Sequence, residues 1–175
     1  MTEKLKYAII GAGCMGQEHI LNIDIIDDAE VVALCDTSEK SIKESLDLLN
    51  NDVAIFDNYI DLVEANIADA FIIATPNFTH IEVLKEVMKS EAHLLIEKPL
   101  CTTVKDCQEF EKLAVDYPGV IWTAMEYRYM PPVQRMIKEI HNKTIGDLKM
   151  LSIREHRFPF LHKVDDWNRF AIKTG

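Results

Sequence analysis

The sequence lacks the features that mark membrane, secreted and nucleic-acid-binding proteins. No apolar run approaches the ~18 residues of a membrane helix, and the N-terminus shows no apolar segment followed by a small-residue cleavage site. The four cysteines form no Cys-x-x-Cys pair, so neither a zinc site nor a disulfide framework is predicted. The first 102 residues carry 7 Lys and Arg against 19 Asp and Glu, which disfavours binding to a phosphate backbone. We predict a cytoplasmic protein with reduced thiols, no metal site, and no nucleic-acid or membrane partner.

The regular feature that is present is an alternation of short apolar segments with amphipathic ones. This alternation predicts βαβ units and an α/β fold with a doubly wound parallel sheet. We place a Rossmann domain at residues 1–128 and the beginning of a second α+β domain at 129–175, with a last strand near Lys149–Arg157. The predicted strands cover residues 6–11, 30–36, 53–56, 69–76, 93–100 and 120–127, and the predicted helices cover 15–26, 38–49, 60–65, 79–90, 103–117 and 131–141.

A glycine-rich turn follows the first predicted strand and has the spacing G-x-G-x-x-G. Its residues are Gly11, Ala12, Gly13, Cys14, Met15 and Gly16. The first glycine allows a tight turn, the second lets a pyrophosphate approach the backbone, and the third lets the helix pack closely on the sheet. The amide groups and the positive dipole end of that helix would hold the phosphates. We therefore predict a dinucleotide site here, in which Cys14 is either a small turn residue or a redox-sensitive thiol.

An acidic residue, Asp36, ends the second predicted strand, 20 residues after Gly16. In dinucleotide-binding folds a carboxylate at this place accepts hydrogen bonds from ribose hydroxyls. It would also repel a 2′-phosphate, so Asp36, followed by Thr37, favours NAD over NADP. The alternative is an Asp that caps the next helix, but Ser38 already suits that role.

Two further polar segments follow the fourth and fifth predicted strands. The first contains Thr75, Pro76, Asn77 and His80, and the second is Glu97-Lys98-Pro99. If the strand order is 3-2-1-4-5-6, the first segment lies beside the glycine turn at the topological switch point. The second would open into the same crevice, where a lysine can hydrogen-bond a substrate hydroxyl. The alternatives are a plain turn, a structural helix histidine and a lysine with its head in water.

These segments resemble the motifs of the Gfo/Idh/MocA family, the glucose–fructose oxidoreductase and inositol dehydrogenase group of nicotinamide-dependent enzymes. The resemblance implies hydride transfer between NAD and a secondary alcohol of a sugar, inositol or similar polyol, in a homo-oligomer. It implies that Lys98 is the active-site lysine and that the Lys98–Pro99 bond is cis, and we place Glu126 among the cofactor contacts. The segment Tyr127–Tyr129 resembles the connection into the substrate domain, and Trp167 and Arg169 resemble a Trp-Arg segment further on.

The family's usual proton acceptor, a His shortly after an Asp on a helix, has no match here. No Asp-x-x-x-His occurs in the sequence, and neither His156 nor His162 matches that position. We therefore expect a fragment or a truncated chain, which alone binds NAD, does not turn over, and associates through its last strand. The alternatives are a nucleotide-binding module without turnover and a reductase that acts on a double bond or imine.

Overall fold

Six parallel strands form one sheet in the order β3-β2-β1-β4-β5-β6. This arrangement confirms the predicted parallel sheet and its strand order. The computed structural model describes residues 3–156 and 163–174. The strands are β1 (Leu5–Ile10), β2 (Ala29–Cys35), β3 (Ala54–Phe56), β4 (Ala70–Ile73), β5 (His93–Ile96) and β6 (Ile121–Thr123).

Among the described residues, the first five helices connect the strands and cover both faces of the sheet, and two further helices follow the last strand. In chain order the helices are α1 (Cys14–Asp24), α2 (Glu39–Leu46), α3 (Tyr59–Glu64), α4 (His80–Val87), α5 (Val104–Ala114), α6 (Pro131–His141) and α7 (Ala171–Thr174), and 3₁₀ turns cover Asn77–Thr79, Glu126–Tyr129 and Val164–Arg169. The prediction that α1 continues to residue 26 is wrong. The chain leaves α1 after Asp24 because it must reverse to begin β2, and the Ala29 amide already donates to the Ile26 carbonyl.

Side-chain caps account for where several helices begin. The Ser38 hydroxyl accepts a hydrogen bond from the Ser41 amide at 3.2 Å, and the Thr103 hydroxyl accepts one from the Asp106 amide at 3.1 Å. Each such cap stabilises a helix by about 1 kcal/mol. The predicted cap at Ser38 is confirmed, which leaves Asp36 free of the helix-capping role.

The sheet is apolar on both faces because alternate side chains of each strand point to opposite sides. Ala8 and Ile10 belong to the cluster that includes residues of α3, α4 and α5. Ile9, between them, belongs to the cluster that includes residues of α1 and α2. Ile9 and Ile72 are almost fully buried, and burying a side chain of this size contributes about 1.5–3 kcal/mol. Two cores on one sheet are what a doubly wound fold requires.

The contacts divide the chain into two units. The first unit contains the described residues up to Ala124 and those from Trp167 onward, and the second is Met125–Asp166. The predicted domain boundary between residues 128 and 129 stays a prediction. Among the described residues no helix has the length and apolar character needed to cross a membrane.

The predicted last strand, Lys149–Arg157, is wrong over the residues that the structure describes. Residues 149–156 adopt no strand and are exposed, and Arg157 lies outside the described residues. The side chains of Met150 and Ile153 are 80% and 71% exposed. A strand needs a partner for its backbone groups, and the described residues of the second unit contain no other strand to supply one.

Candidate functional site

The turn after β1 has room for glycine alone at its first position. Gly11 has φ +99°, and a Cβ there would lie 2.6 Å from the carbonyl carbon of Ala74. Both the left-handed backbone and the close approach of β4 therefore exclude a side chain. The predicted tight turn is confirmed, and it brings the end of β1 against the end of β4.

The other two glycines of the motif differ sharply in their surroundings. A Cβ on Gly16 would lie 2.1 Å from the Gly11 carbonyl oxygen and 3.3 Å from the Ile9 side chain of β1, so α1 packs closely on the sheet here, as predicted. A Cβ on Gly13 would meet nothing within 4 Å. Gly13 thus leaves the backbone open to a ligand at the point where the motif predicts that a pyrophosphate approaches.

Helix α1 begins beside this open space. Gly13 is its N-cap and carries no side chain to satisfy the first amides. The helical hydrogen bonds start with the Gln17 amide, which donates to the Gly13 carbonyl at 2.9 Å. The first-turn amides of Cys14 and Met15 precede these bonds, and such amides bind anions. Cys14 is exposed and unpaired by disulfide, so both interpretations of its thiol stay open.

Asp36, directly after β2, fastens the glycine turn to the next loop. One carboxylate oxygen accepts a hydrogen bond from the Ala12 amide and the other accepts one from the Ser38 amide, both at 2.8 Å. Asp36 is half-buried and Thr37 is exposed. A carboxylate has about four acceptor positions, so these two bonds leave acceptor capacity for ribose hydroxyls.

Ser45 of α2 also holds the glycine turn, and its role was not predicted from the sequence. Its hydroxyl is fully buried and donates to the Ala12 carbonyl at 2.9 Å, and the Gln17 side chain donates to the same carbonyl at 3.3 Å. Together with Asp36 they hold both backbone polar groups of Ala12. A small polar residue on the buried face of α2 was the available signal.

The segment after β4 is held by its own hydroxyls. The Thr79 hydroxyl donates to the Pro76 carbonyl at 2.7 Å and lies 2.8 Å from the Thr75 hydroxyl. The side-chain amide nitrogen of Asn77 donates to the Thr174 carbonyl at 3.4 Å. Thr75, Pro76 and Asn77 are half-buried, so part of each faces solvent at this edge.

His80 lies wholly inside the protein and joins two turns. Its ring is 0% exposed. Nε2 lies 3.0 Å from the Thr75 carbonyl oxygen, and Nδ1 lies 2.9 Å from the Pro99 carbonyl oxygen and 3.3 Å from that of Leu100. The ring therefore fixes the turn after β4 against the turn after β5. A role of His80 in cofactor binding would act through these turns.

The turn after β5 places an exposed lysine beside a buried glutamate. The Lys98–Pro99 peptide bond is cis, as the resemblance implied. Lys98 is exposed, whereas Glu97 is only 6% exposed. Glu97 Oε1 lies 3.0 Å from His19 Nε2 of α1, and Glu97 Oε2 accepts a hydrogen bond from the Lys98 amide at 3.2 Å. His19, three residues after Gly16, was also missed from the sequence.

Two effects act in opposite directions on the carboxyl group of Glu97. Burial raises the pKa of Glu97, but the hydrogen bond and charge of His19, with the amide and charge of Lys98, outweigh it, and the net pKa is lowered. Glu97 is therefore ionised at neutral pH. Because a carboxylate accepts and does not donate, His19 Nε2 carries the proton of their hydrogen bond.

The predicted site residues of the first unit follow the carboxyl ends of four parallel strands. They come after β1, β2, β4 and β5, and β1 and β4 are neighbours at the point where the strand order reverses. That crevice is where open α/β sheets bind their ligands. Glu126 lies in the second unit, exposed, in the 3₁₀ turn Glu126–Tyr129. The described residues contain no group of three or more potential metal ligands.

The glycine turn, the acid after β2 and the strand order define a dinucleotide-binding Rossmann domain. A model described as an oxidoreductase family with an NAD-binding Rossmann fold, Gfo/Idh/MocA, matches residues 5–125. The chain belongs to the Gfo/Idh/MocA family.

Curated relatives resemble most of this chain. The rhizopine catabolism protein MocA of Rhizobium meliloti is 25% identical over 149 residues, covering 85% of this chain and 46% of that protein. An inositol 2-dehydrogenase of Pseudarthrobacter chlorophenolicus is 30% identical over 161 residues, covering 91% of this chain and 47% of that protein. The chain thus spans about half the length of the curated relatives it matches.

Solved structures show the same fold. The WlbA dehydrogenase of Bordetella pertussis, in complex with NADH and UDP-GlcNAcA, has a TM-score of 0.75 at 25% identity, covering 82% of this chain and 44% of its own. The scyllo-inositol dehydrogenase of Lactobacillus casei, with bound NAD(H) and scyllo-inositol, has a TM-score of 0.77 at 19% identity, covering 83% of this chain and 43% of its own.

Proposed function

We propose that this chain is the cofactor-binding part of an NAD-dependent oxidoreductase that acts on a secondary alcohol of a sugar, inositol or similar polyol. The observation that carries the proposal is the open backbone at Gly13, next to Ala12, whose amide donates to the Asp36 carboxylate. Bound nicotinamide supplies the hydride acceptor or donor. The relatives named as inositol dehydrogenases support the substrate class.

The residues around the glycine turn would hold and orient the cofactor. The amides of Cys14 and Met15 would bind its pyrophosphate, and the free acceptor positions of Asp36 would bind the adenosine ribose. A negative charge at Asp36 opposes a 2′-phosphate, so NAD is preferred over NADP. The remaining proposed contacts come from the loops that follow the strands, and they are Thr37, Thr75, Pro76, Asn77, Lys98 and Glu126. His80 and Glu97 are buried and would act on the cofactor through the turns that they hold.

Lys98 is the proposed catalytic residue. Its exposed ammonium group, at the crevice edge, would hydrogen-bond the substrate hydroxyl and ease its loss of a proton. No residue of the sequence matches the family's Asp-x-x-x-His base. We therefore propose that these 175 residues alone bind the cofactor without turnover.

Titration of NAD and NADP in a calorimeter tests the cofactor assignment. NAD should bind more tightly, and Asp36→Ser should weaken NAD and narrow the difference. Asp69→Ser is the matched control, because Asp69 also accepts a hydrogen bond from a backbone amide, that of Lys6, at 2.8 Å but precedes β4 at the opposite edge. NADP binding equal to or tighter than NAD would refute the preference, and no binding of either would refute the function.

Replacing Lys98 by Met in the protein with its complete substrate domain tests the catalytic assignment. Loss of an orienting or proton-transferring group lowers turnover by about 10²–10⁴-fold, far more than it should weaken NAD binding. Lys89→Met is the control, because it removes the same charge from an exposed lysine that follows α4 and lies outside the proposed site. Near-normal turnover of the Lys98 variant would make Lys98 structural.

We further propose a cytoplasmic, homo-oligomeric protein. Four free cysteines suit a reducing compartment. Light scattering over a range of concentrations would measure the oligomeric state, and a monomer at high concentration would refute the proposed homo-oligomer.

A further inference from the structure

One carboxylate connects the glycine-turn helix to the peptide of the proposed catalytic lysine. Glu97 Oε1 accepts from His19 on α1 at 3.0 Å, and Glu97 Oε2 accepts from the Lys98 amide at 3.2 Å. The side chains of His19 and Glu97 are only 15% and 8% exposed. The contact is therefore largely shielded from solvent, whereas Lys98 is exposed.

This contact is the most buried ion pair among the described residues, although Lys85 and Glu109 also join two elements, α4 and α5. The pair of Lys89 and Glu86 joins residues three positions apart, with side chains 67% and 20% exposed. Exposed pairs of this kind are screened by water and hold little geometry. His19 and Glu97 are separated by 78 residues and are held between α1 and the end of β5, so their hydrogen bond fixes one element against another.

The orientation of Lys98 depends on this fixation. An exposed lysine side chain has many rotamers, and the backbone at its Cα sets the region that they sample. Glu97 holds the Lys98 amide from one side of that Cα, and His80 holds the Pro99 carbonyl from the other at 2.9 Å. The hydrogen bond from His19 in turn orients the Glu97 carboxylate.

We propose that His19 and Glu97 are positioning residues that hold Lys98 in register with the glycine turn. This inference rests on the proposed function, because it assigns a purpose to the orientation of Lys98. Neither residue needs to touch substrate or cofactor. Since α1 also presents the first-turn amides, the same helix that would bind the pyrophosphate then sets where the lysine amine can reach.

Three variants test the proposal. Glu97→Gln keeps the size of the side chain but removes its charge and one acceptor oxygen, His19→Ala removes the donor, and His19→Gln restores a side-chain N–H donor. Glu86→Gln, in the local ion pair with the exposed Lys89, is the matched control. Each is made in this chain for spectroscopy and in the protein with its complete substrate domain for kinetics.

The first readout is the amide resonance of Lys98 in ¹⁵N-labelled protein. We expect the chemical shift of this amide to change in Glu97→Gln and His19→Ala and to return toward its original value in His19→Gln. In Glu86→Gln the chemical shift should stay the same. A Lys98 resonance that is unchanged in Glu97→Gln would overturn the proposal, because the carboxylate would then not hold that amide.

The second readout separates positioning from folding. Misplacement of a catalytic group by about 1 Å costs about 10²-fold in rate, so kcat should fall in Glu97→Gln and His19→Ala while KM for NAD changes little, and His19→Gln should recover most of the loss. A loss that follows only the unfolded fraction, or that His19→Gln does not reverse, would overturn the proposal. If Lys98→Met keeps its turnover, the catalytic role of Lys98 fails instead, and the amide result still stands on its own.

Discussion

The two units of this protein cover their apolar side chains very differently. In the first, Ile72 of β4 is 1% exposed and contributes to a core that α1 and α2 complete. In the second, α6 buries none of its residues, and Ile153 is 71% exposed. Both units contain apolar patterns typical of regular structure, so a pattern alone does not decide whether its residues are covered. A neighbouring element must supply the partner surface.

This difference predicts opposite costs for the same substitution in the two units. Ile72→Ala removes buried carbon atoms and leaves a cavity, so it should lower the free energy of unfolding by about 2–5 kcal/mol. Ile153→Ala removes exposed atoms and should change it by no more than about 0.5 kcal/mol. Urea denaturation followed by circular dichroism measures both. Equal effects would show that Ile153 is covered in solution.

The glycine turn provides the next contrast, within the first unit. A Cβ on Gly16 would collide with the Gly11 carbonyl, whereas one on Gly13 would meet nothing within 4 Å. Gly16→Ala should therefore lower the free energy of unfolding by about 3 kcal/mol, and Gly13→Ala should leave it nearly unchanged. For Gly13→Ala the expected loss is in NAD affinity, measured by calorimetry. Unchanged affinity in a stable Gly13→Ala would contradict the proposed approach of the pyrophosphate.

A pH titration contrasts the carboxylates of Glu97 and Glu86, whose side chains are 8% and 20% exposed. The pKa of Glu97 in the folded protein is lower than its ordinary value of 4.5. The ionised form of Glu97 therefore stabilises the folded protein. The stabilisation is present above pH 4.5 and is lost as the pH falls through the lowered folded-state pKa. Glu97→Gln should remove this part of the acid dependence, as measured by denaturation between neutral and acid pH.

The smallest expected effect is that of the local ion pair between Lys89 and Glu86, which are three residues apart. Glu86→Gln should change the free energy of unfolding by no more than about 0.5 kcal/mol at neutral pH, and should leave the acid dependence almost intact. An effect as large as that of Glu97→Gln would mean that burial does not distinguish the two carboxylates.

Much of the first unit could be predicted because its signals are local. Strand residues of β1 alternate between two cores, Ser38 and Thr103 cap the helices that follow them, and the glycine spacing specifies a turn before a helix. Each depends on residues a few positions apart, and the order of these signals along the chain is typical of one fold. The ends of the helices were harder to predict because they depend on where the chain must turn back.

The site was predicted as a set of residues but not as a set of contacts. The motifs placed Asp36, Thr75 and Lys98 at one edge of the sheet, whereas His19 and Ser45 carry no motif signal of their own. Their roles come from partners 78 and 33 residues away. The cis bond before Pro99 was implied by resemblance to a family and by nothing in the local pattern.

By itself the sequence determined the alternation of strands and helices, the glycine turn and the acid after β2, because these depend on side-chain periodicity and backbone freedom within short segments. Only the tertiary structure decided that His80 is enclosed between two turns, that Glu97 bridges α1 and Lys98, and that residues 149–156 form no strand. The physical reason is that a buried polar group needs a hydrogen-bonding partner and a strand needs a neighbour. Both partners come from parts of the chain that are distant in sequence.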